Sequence, residues 1–140
     1  MNTGQAKQRG AGMHICKGGC HCGRVSFEID IPDQVTVHRC LCSICQKSGY
    51  RHLIVPADRF RLVCGQDSLT EYRFHTAVAR HLFCKHCGVK SYYVPRSHPD
   101  AFSVNLNCLE LPDEIAVTVK TFDGRQWSKN AERLRNEATP

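Results

Sequence analysis

The sequence lacks several features that mark large classes of proteins. No apolar run approaches the roughly 18 residues of a membrane-spanning helix, which excludes such a helix. The first 15 residues are polar and glycine-rich, and because they contain no apolar stretch typical of a secretory signal, we expect no export signal there. Aromatic residues make up only 8% of the chain and no long block of Lys and Arg occurs, which argues against nucleic-acid binding.

Cysteine, by contrast, is abundant. The chain has 140 residues, of which 41% are hydrophobic and 23% are charged, and it contains ten cysteines. This length and composition predict one globular domain. Without an export signal we expect a cytoplasmic protein with reduced thiols, and clustered reduced thiols indicate metal binding or catalysis rather than disulfides.

Alternation of apolar and polar residues is the main structural signal, and it predicts strands. The expected strands are 25–31, 60–64, 70–74, 102–108 and 115–119, with shorter candidates at 52–55, 79–83 and 89–94. The pattern predicts a mainly β protein of small antiparallel sheets. Little helix is expected, only 42–48 and a second segment at 128–138, where Ser128 is a suitable N-cap. Residues 1–13 are interpreted as a flexible tail, 14–128 as the domain, and 129–140 as a tail or short helix.

Seven of the cysteines fall into three clusters, and two of these clusters have the spacing of zinc half-sites. Cys84 and Cys87 are separated by two residues and followed by Gly88, while Cys20 and Cys22 form a shorter variant that also ends in glycine. A tight turn directs both sulfurs of such a pair inward, and the glycine permits a positive φ after it. Together the two pairs supply the four thiolates of a closed, structural zinc site.

The third cluster combines three cysteines in six residues, namely Cys40, Cys42 and Cys45. Three ligands leave one tetrahedral position open, which is typical of a catalytic or ligand-accepting zinc. His38 or His52 is able to close that position and make the site structural, and the sequence leaves this alternative open.

Other interpretations of the cysteines are disfavoured by their context. Disulfides between such close cysteines would be strained, a thioredoxin-like role needs a βαβ unit, and the spacing does not match known iron–sulfur sites. The isolated Cys16, Cys64 and Cys108 are interpreted as small packing residues. His21 and His86, inside the two zinc half-sites, are expected to be exposed rather than to bind metal.

These clusters, in this order, resemble the glutathione-dependent formaldehyde-activating enzyme (GFA) family. The residues that carry the resemblance are Gly18 to Gly23, Cys40 to Cys45 and Phe83 to Gly88, together with Ile54-Val55-Pro56 and Phe74-His75-Thr76. Within the family the sequence is most similar to the centromere protein V type, through Tyr93-Val94-Pro95-Arg96-Ser97, Phe122-Asp123-Gly124 and Trp127. The resemblance extends over about residues 14 to 128.

The resemblance implies small β-sheets held together by zinc, with a structural ion at Cys20, Cys22, Cys84 and Cys87. It implies a second, catalytic zinc at Cys40, Cys42 and Cys45. The activity implied is that of a carbon–sulfur lyase, the condensation of formaldehyde with glutathione to S-(hydroxymethyl)glutathione. The glutathione sulfur takes the open position, or the zinc polarises the aldehyde oxygen. His52 is a candidate for delivering the proton that the product oxygen needs.

The charge distribution is relevant to the substrate. No acidic residue lies between Glu71 and Asp100, a stretch that contains Arg73, Arg80, Lys85, Lys90 and Arg96, and residues 39–61 add Arg39, Lys47, Arg51, Arg59 and Arg61. This excess suits an anionic peptide thiol, or it compensates the metal thiolates. Seven thiolates and two Zn²⁺ ions lower the formal charge from +6 to about +3, which weakens the case for nucleic acid. The alternative function is a non-catalytic zinc-stabilised module that binds cytoskeleton or chromatin.

Overall fold

The computed structural model describes residues 12–74 and 79–123, and within them the protein is mainly β. This confirms the predicted fold class. In these two ranges there is one α-helix, α1, which spans Ser43–Ser48, and short 3-10 turns cover residues 57–59, 66–68 and 106–108. The strands are β1 Met13–Gly19, β2 Ser26–Pro32, β3 Gln34–Cys40, β4 Arg51–Pro56, β5 Phe60–Cys64, β6 Leu69–Tyr72, β7 His81–Cys84, β8 Tyr92–Tyr93, β9 Ala101–Asn105 and β10 Ala116–Phe122.

The strands form three small sheets. One has the order β1-β2-β5, the second the order β10-β3-β4-β9-β8, and the third pairs β6 with β7. All pairs are antiparallel except β3 with β10, which run parallel. Alternation of apolar residues reports which strands are half-buried but not their direction, so the sequence did not distinguish this pair.

The main core lies between the three-stranded and the five-stranded sheets. Buried side chains of β2, such as Phe27 and Ile29, pack with Val37, Leu53 and Val104 of the larger sheet. Side chains alternate along a strand, so His38 and His52, which are cross-strand neighbours on β3 and β4, lie on the opposite, outer face. The larger sheet therefore presents a second surface away from the core.

Two strands were not predicted from the sequence. β1 begins at Met13, within the segment interpreted as a tail, and it pairs along its whole length with β2. It ends in Gly18 and Gly19, where a Cβ would lie 2.7 Å from the Phe27 ring and 2.2 Å from the Val25 carbonyl oxygen. These glycines let β1 approach β2 closely, which explains why the strand has so little apolar alternation. The second strand that the sequence did not predict is β3.

Several element boundaries differ from the sequence expectation. The strand predicted over 102–108 ends at Asn105, because the Asn105 side chain accepts a hydrogen bond from the backbone N–H of Asn107 and starts a 3-10 turn. The helix predicted over 42–48 is confirmed as α1, which ends at Gly49 with a φ of 66°. The predicted helix 128–138 lies outside the described residues. In the part of the chain that is described, no helix is long and apolar enough to cross a membrane.

Candidate metal centres

A group of four cysteines links the first hairpin to a strand far along the chain. Cys20 and Cys22 lie in the β1–β2 turn, Cys84 ends β7, and Cys87 follows it. Their sulfurs all lie within 4.8 Å of one another, with 3.6 Å between Cys20 and Cys22 and 3.7 Å between Cys22 and Cys84. A tetrahedral zinc with Zn–S bonds of about 2.3 Å requires sulfurs about 3.8 Å apart. The four side chains therefore fit such an ion.

The backbone around this four-cysteine group has the expected turn geometry. Gly23 and Gly88 adopt φ values of 84° and 77°, in agreement with the role predicted for the closing glycines. The N–H of Val25 donates to the Cys20 sulfur at 3.3 Å and that of His86 to the Cys84 sulfur at 3.4 Å. Backbone N–H groups thus favour negatively charged sulfurs here. They lower the pKa of Cys87 to about 6, chiefly through Val89.

The second group consists of Cys40, Cys42 and Cys45, whose sulfurs also lie within 4.8 Å of one another. Cys40 ends β3, Cys42 is the N-cap of α1, and Cys45 is buried in the first turn of that helix. Within residues 12–74 and 79–123, no histidine, further cysteine, aspartate or glutamate joins this three-cysteine group. Neither His38 nor His52 therefore closes it in this geometry.

The three thiols interact strongly with one another. Hydrogen bonds from Cys40 and Cys45 lower the pKa of Cys42 to about 2. The same sulfur–sulfur hydrogen bonds raise the pKa of Cys40 and Cys45. The group thus accepts a first negative charge readily at Cys42 and resists further ionisation. A divalent cation removes that resistance, because its charge stabilises all three thiolates.

His52 contacts the three-cysteine group from the outer face of the sheet. Its Nε2 lies 3.0 Å from the Cys45 sulfur, and its Nδ1 lies 3.0 Å from the Ser103 hydroxyl and 3.2 Å from that of Tyr93. Burial lowers the pKa of His52 to about 3, so the ring is neutral. A thiolate only accepts hydrogen bonds, so Nε2 carries the proton when Cys45 is ionised. This arrangement makes His52 a donor to Cys45, and its role as the proton source for the product oxygen stays a prediction.

Sequence reasoning missed the aromatic and basic residues around this site. Lys90 lies with its Nζ 3.9 Å from the centre of the Tyr93 ring and 4.9 Å from that of Tyr50. The Tyr50 hydroxyl donates to the Ser103 carbonyl at 2.6 Å, and its ring packs against His52 at 4.5 Å. Lys90 had been noted as part of a basic stretch and Tyr93 as part of the family resemblance, but neither had been connected with this site. The two tyrosines occur far apart in the chain and carried no signal of a shared site.

The predictions for the other cysteines and for the half-site histidines have mixed outcomes. Cys16 is buried in the main core, as predicted, and burial raises its pKa to about 12. The packing role predicted for Cys64 is wrong, because its side chain is exposed at the end of β5 and its sulfur contacts the Ser26 hydroxyl at 3.0 Å. Cys108 is partly buried in a 3-10 turn. His21 and His86 are exposed, as expected.

Part of the basic excess is neutralised within the fold. The Arg61 guanidinium forms a bidentate salt bridge with the Asp30 carboxylate, with N–O distances of 2.9 and 3.0 Å. Arg73 and Arg80 both contact Glu71. The sequence left open whether these charges serve a substrate or compensate the metal thiolates, and for these three arginines the partner is instead a carboxylate of the same chain.

The fold and the two cysteine groups define a small β protein able to hold two metal ions. The family model of the glutathione-dependent formaldehyde-activating enzyme matches residues 15–125, and the chain belongs to this GFA family. A Halomonas elongata protein named "putative glutathione-dependent formaldehyde-activating enzyme" is 29% identical over 120 aligned positions, covering 76% of each chain. A crystal structure of a Rhodobacter sphaeroides protein superposes with a TM-score of 0.61 at 33% identity, over 73% of this chain and 99% of that one.

Proposed function

We propose that this protein is a zinc-dependent carbon–sulfur lyase that joins formaldehyde, or a related small aldehyde, to glutathione at the three-cysteine group. The single observation that carries the proposal is the group of Cys40, Cys42 and Cys45, whose sulfurs converge without a fourth protein ligand among the described residues. Family membership supplies the substrate class. In this proposal the four-cysteine group holds a second, structural zinc.

The three sulfurs are suited to a metal that also binds a substrate. Two thiol-rich groups favour zinc over harder cations such as Mg²⁺ or Ca²⁺. Cys40, Cys42 and Cys45 would hold a zinc ion, which would supply Lewis-acid chemistry able to ionise a thiol or polarise a carbonyl at neutral pH.

The chain's own residues hold and tune this group. His52 donates its Nε2–H to Cys45, and the hydroxyls of Ser103 and Tyr93 fix the ring from the other side. Such outer contacts orient a ligand sulfur and moderate its charge. Lys90 offsets the negative charge of the group, since the three cysteines raise its pKa against the effect of burial. The arriving glutathione thiolate adds one more negative charge, so this compensation favours its binding.

The proposed domain is residues 14–128, with both cysteine groups inside it. All ten cysteines are free thiols, and seven of them serve as ligands only while they remain reduced. We therefore propose that the protein works in a reducing compartment such as the cytoplasm.

Exchange between formaldehyde and S-(hydroxymethyl)glutathione tests the activity directly. The exchange rate is measured by NMR with the metal-loaded wild type and with Cys42→Ser, after zinc has been counted in each sample. We expect two zinc ions per wild-type chain and exchange faster than in buffer. In Cys42→Ser the fold and the four-cysteine zinc remain, and the acceleration is lost.

The matched control is Cys64→Ser, because Cys64 is exposed and belongs to neither cysteine group. It should exchange at the wild-type rate. Exchange no faster than buffer in the zinc-loaded wild type would refute the enzyme and favour the non-catalytic module. Equal acceleration by Cys42→Ser would exclude the three-cysteine group as the site.

A further inference from the structure

Lys90 is enclosed in a way that is unusual for a lysine. Its Nζ lies over the faces of Tyr93 and Tyr50 and is 2.7 Å from His81 Nδ1. The two tyrosines and His81 are buried, whereas Lys90 itself is only partly exposed. The amine is therefore held in one place with a hydrogen-bond acceptor beside it.

His81 is suited to act as a base toward this amine. Its ring stacks between Phe74 at 5.2 Å and Tyr93 at 4.9 Å, with interplanar angles of 19° and 12°. The charged ammonium has no lone pair and can only donate, so Nδ1 is the acceptor beside protonated Lys90. Enzymes activate nucleophiles by placing them in hydrogen-bond contact with a base, and a third group orients that base.

The electrostatics of the site leave part of this lysine uncharged at neutral pH. Burial lowers the pKa of Lys90 to about 8, against the opposing effect of Cys40, Cys42 and Cys45. Burial also lowers the pKa of His81 to about 4, so its ring is neutral. The charged form of a lysine is not nucleophilic. A larger neutral fraction therefore means faster addition to a carbonyl.

The backbone holds the lysine rigidly at this place. The carbonyl of Lys90 accepts a hydrogen bond of 3.1 Å from the Asn105 side chain on β9. On the other side, the Val89 carbonyl accepts from the Cys84 N–H at 3.1 Å. Lys90 is thus tied both to the five-stranded sheet and to the turn of the four-cysteine group.

We propose that Lys90 is a covalent capture site for small aldehydes, with His81 as its base. The neutral lysine nitrogen forms a bond to the carbonyl carbon, and the π electrons move to the oxygen. The nitrogen then passes one proton to His81 Nδ1, and His81 returns that proton to the oxygen through solvent, which leaves a neutral carbinolamine and a neutral His81. Loss of the hydroxyl group together with a proton, as water, then gives an imine. The choice of an aldehyde as the ligand rests on the proposed function.

Reductive trapping in the absence of glutathione tests the proposal. The metal-loaded full chain is treated with isotopically labelled formaldehyde and a mild borane reductant at neutral pH. Methylation at each lysine is then followed over time by peptide mass spectrometry. The exposed Lys47 and Lys85 serve as controls within the same sample. We expect Lys90 to be methylated at least about tenfold faster than either, because lowering a lysine pKa from 10.5 to about 8 increases the neutral fraction by about two orders of magnitude.

The variant His81→Phe keeps a ring between Phe74 and Tyr93 but removes the acceptor. In this variant we expect the Lys90 rate to fall below the wild-type rate because the base is gone, while burial still keeps the lysine more reactive than the exposed ones; circular dichroism and zinc content should be unchanged. Equal rates at Lys90, Lys47 and Lys85 in the wild type would overturn the proposal, and so would an undiminished Lys90 rate in His81→Phe. Since no glutathione is present, trapping at Lys90 and glutathione exchange succeed or fail independently.

Discussion

Replacing Cys84 with serine should unfold the protein or leave it far less stable, whereas replacing Cys42 should not. Cys84 is fully buried and packs in the main core. Its sulfur belongs to the group that joins the β1–β2 turn to β7 across 62 residues of sequence. Structural zinc sites contribute about 10–16 kcal/mol to the folding of small zinc domains. Since whole domains are stable by only about 5–15 kcal/mol, loss of this ion removes most or all of the stability.

Cys42 has a different structural context. It is the N-cap of α1 with φ −67° and ψ 162°, and no side-chain hydrogen bond caps the helix. Serine is a favoured N-cap residue. Cys42→Ser should therefore change the free energy of unfolding by no more than about 1 kcal/mol from the cap itself, although the three-cysteine group loses its metal.

Thermal unfolding followed by circular dichroism, with zinc counted in each sample, measures this difference. Cys64→Ser is the control, and its effect should stay within about 0.5 kcal/mol because the residue is on the surface. Equal destabilisation by Cys84→Ser and Cys42→Ser would refute the division into a structural and an open site.

Three further predictions concern single residues. Gly19→Ala should destabilise the protein by about 1–3 kcal/mol, because its Cβ would lie 2.2 Å from the Val25 carbonyl oxygen; chemical denaturation measures the loss, and an unchanged midpoint would contradict it. His52→Phe should weaken zinc binding at the three-cysteine group by about 10–100-fold, while the four-cysteine group keeps its zinc. Chelator competition measures both affinities. Equal zinc affinity of the three-cysteine group in wild type and variant would contradict the role given to the contact between His52 and Cys45. In the metal-free protein at pH 7, Cys42 should be alkylated well before Cys16. The Cys42 pKa of about 2 makes that residue a thiolate, whereas the Cys16 pKa of about 12 keeps that residue a thiol. Mass spectrometry after short exposure to iodoacetamide gives the order of alkylation, and the reverse order would contradict the assignment.

The local signals in the sequence were sufficient for the class of fold and for the cysteine groups. Spacing indicated two half-sites, Cys20 with Cys22 and Cys84 with Cys87, since a tight turn closed by glycine needs only local geometry to direct two sulfurs inward, and a closed zinc site needs two such pairs. The structure brings these four sulfurs together. The two closing glycines have the positive φ that the turn requires.

Features that depend on distant contacts were not predictable in this way. β1 was missed because Gly18 and Gly19 replace apolar residues where the strand packs tightly on β2. The surroundings of the three-cysteine group were not predicted because they depend on long-range contacts: the pairing of β8 with β9 brings Tyr93 next to Ser103, and the Asn105 side chain on β9 holds the Lys90 carbonyl. His52 was noticed for its position near the cysteines, but the sequence did not show that burial lowers its pKa and keeps the ring neutral, or that its Nε2 contacts Cys45.

Binding of glutathione to the metal-loaded protein tests most directly whether the three-cysteine group accepts a thiol. Isothermal titration calorimetry compares the wild type with Cys42→Ser, after circular dichroism has shown that both are folded and zinc analysis has shown that both keep the four-cysteine ion. We expect the wild type to bind glutathione and the variant to lose this binding. Equal affinity in the two proteins would contradict it, because glutathione would then bind without the group formed by Cys40, Cys42 and Cys45.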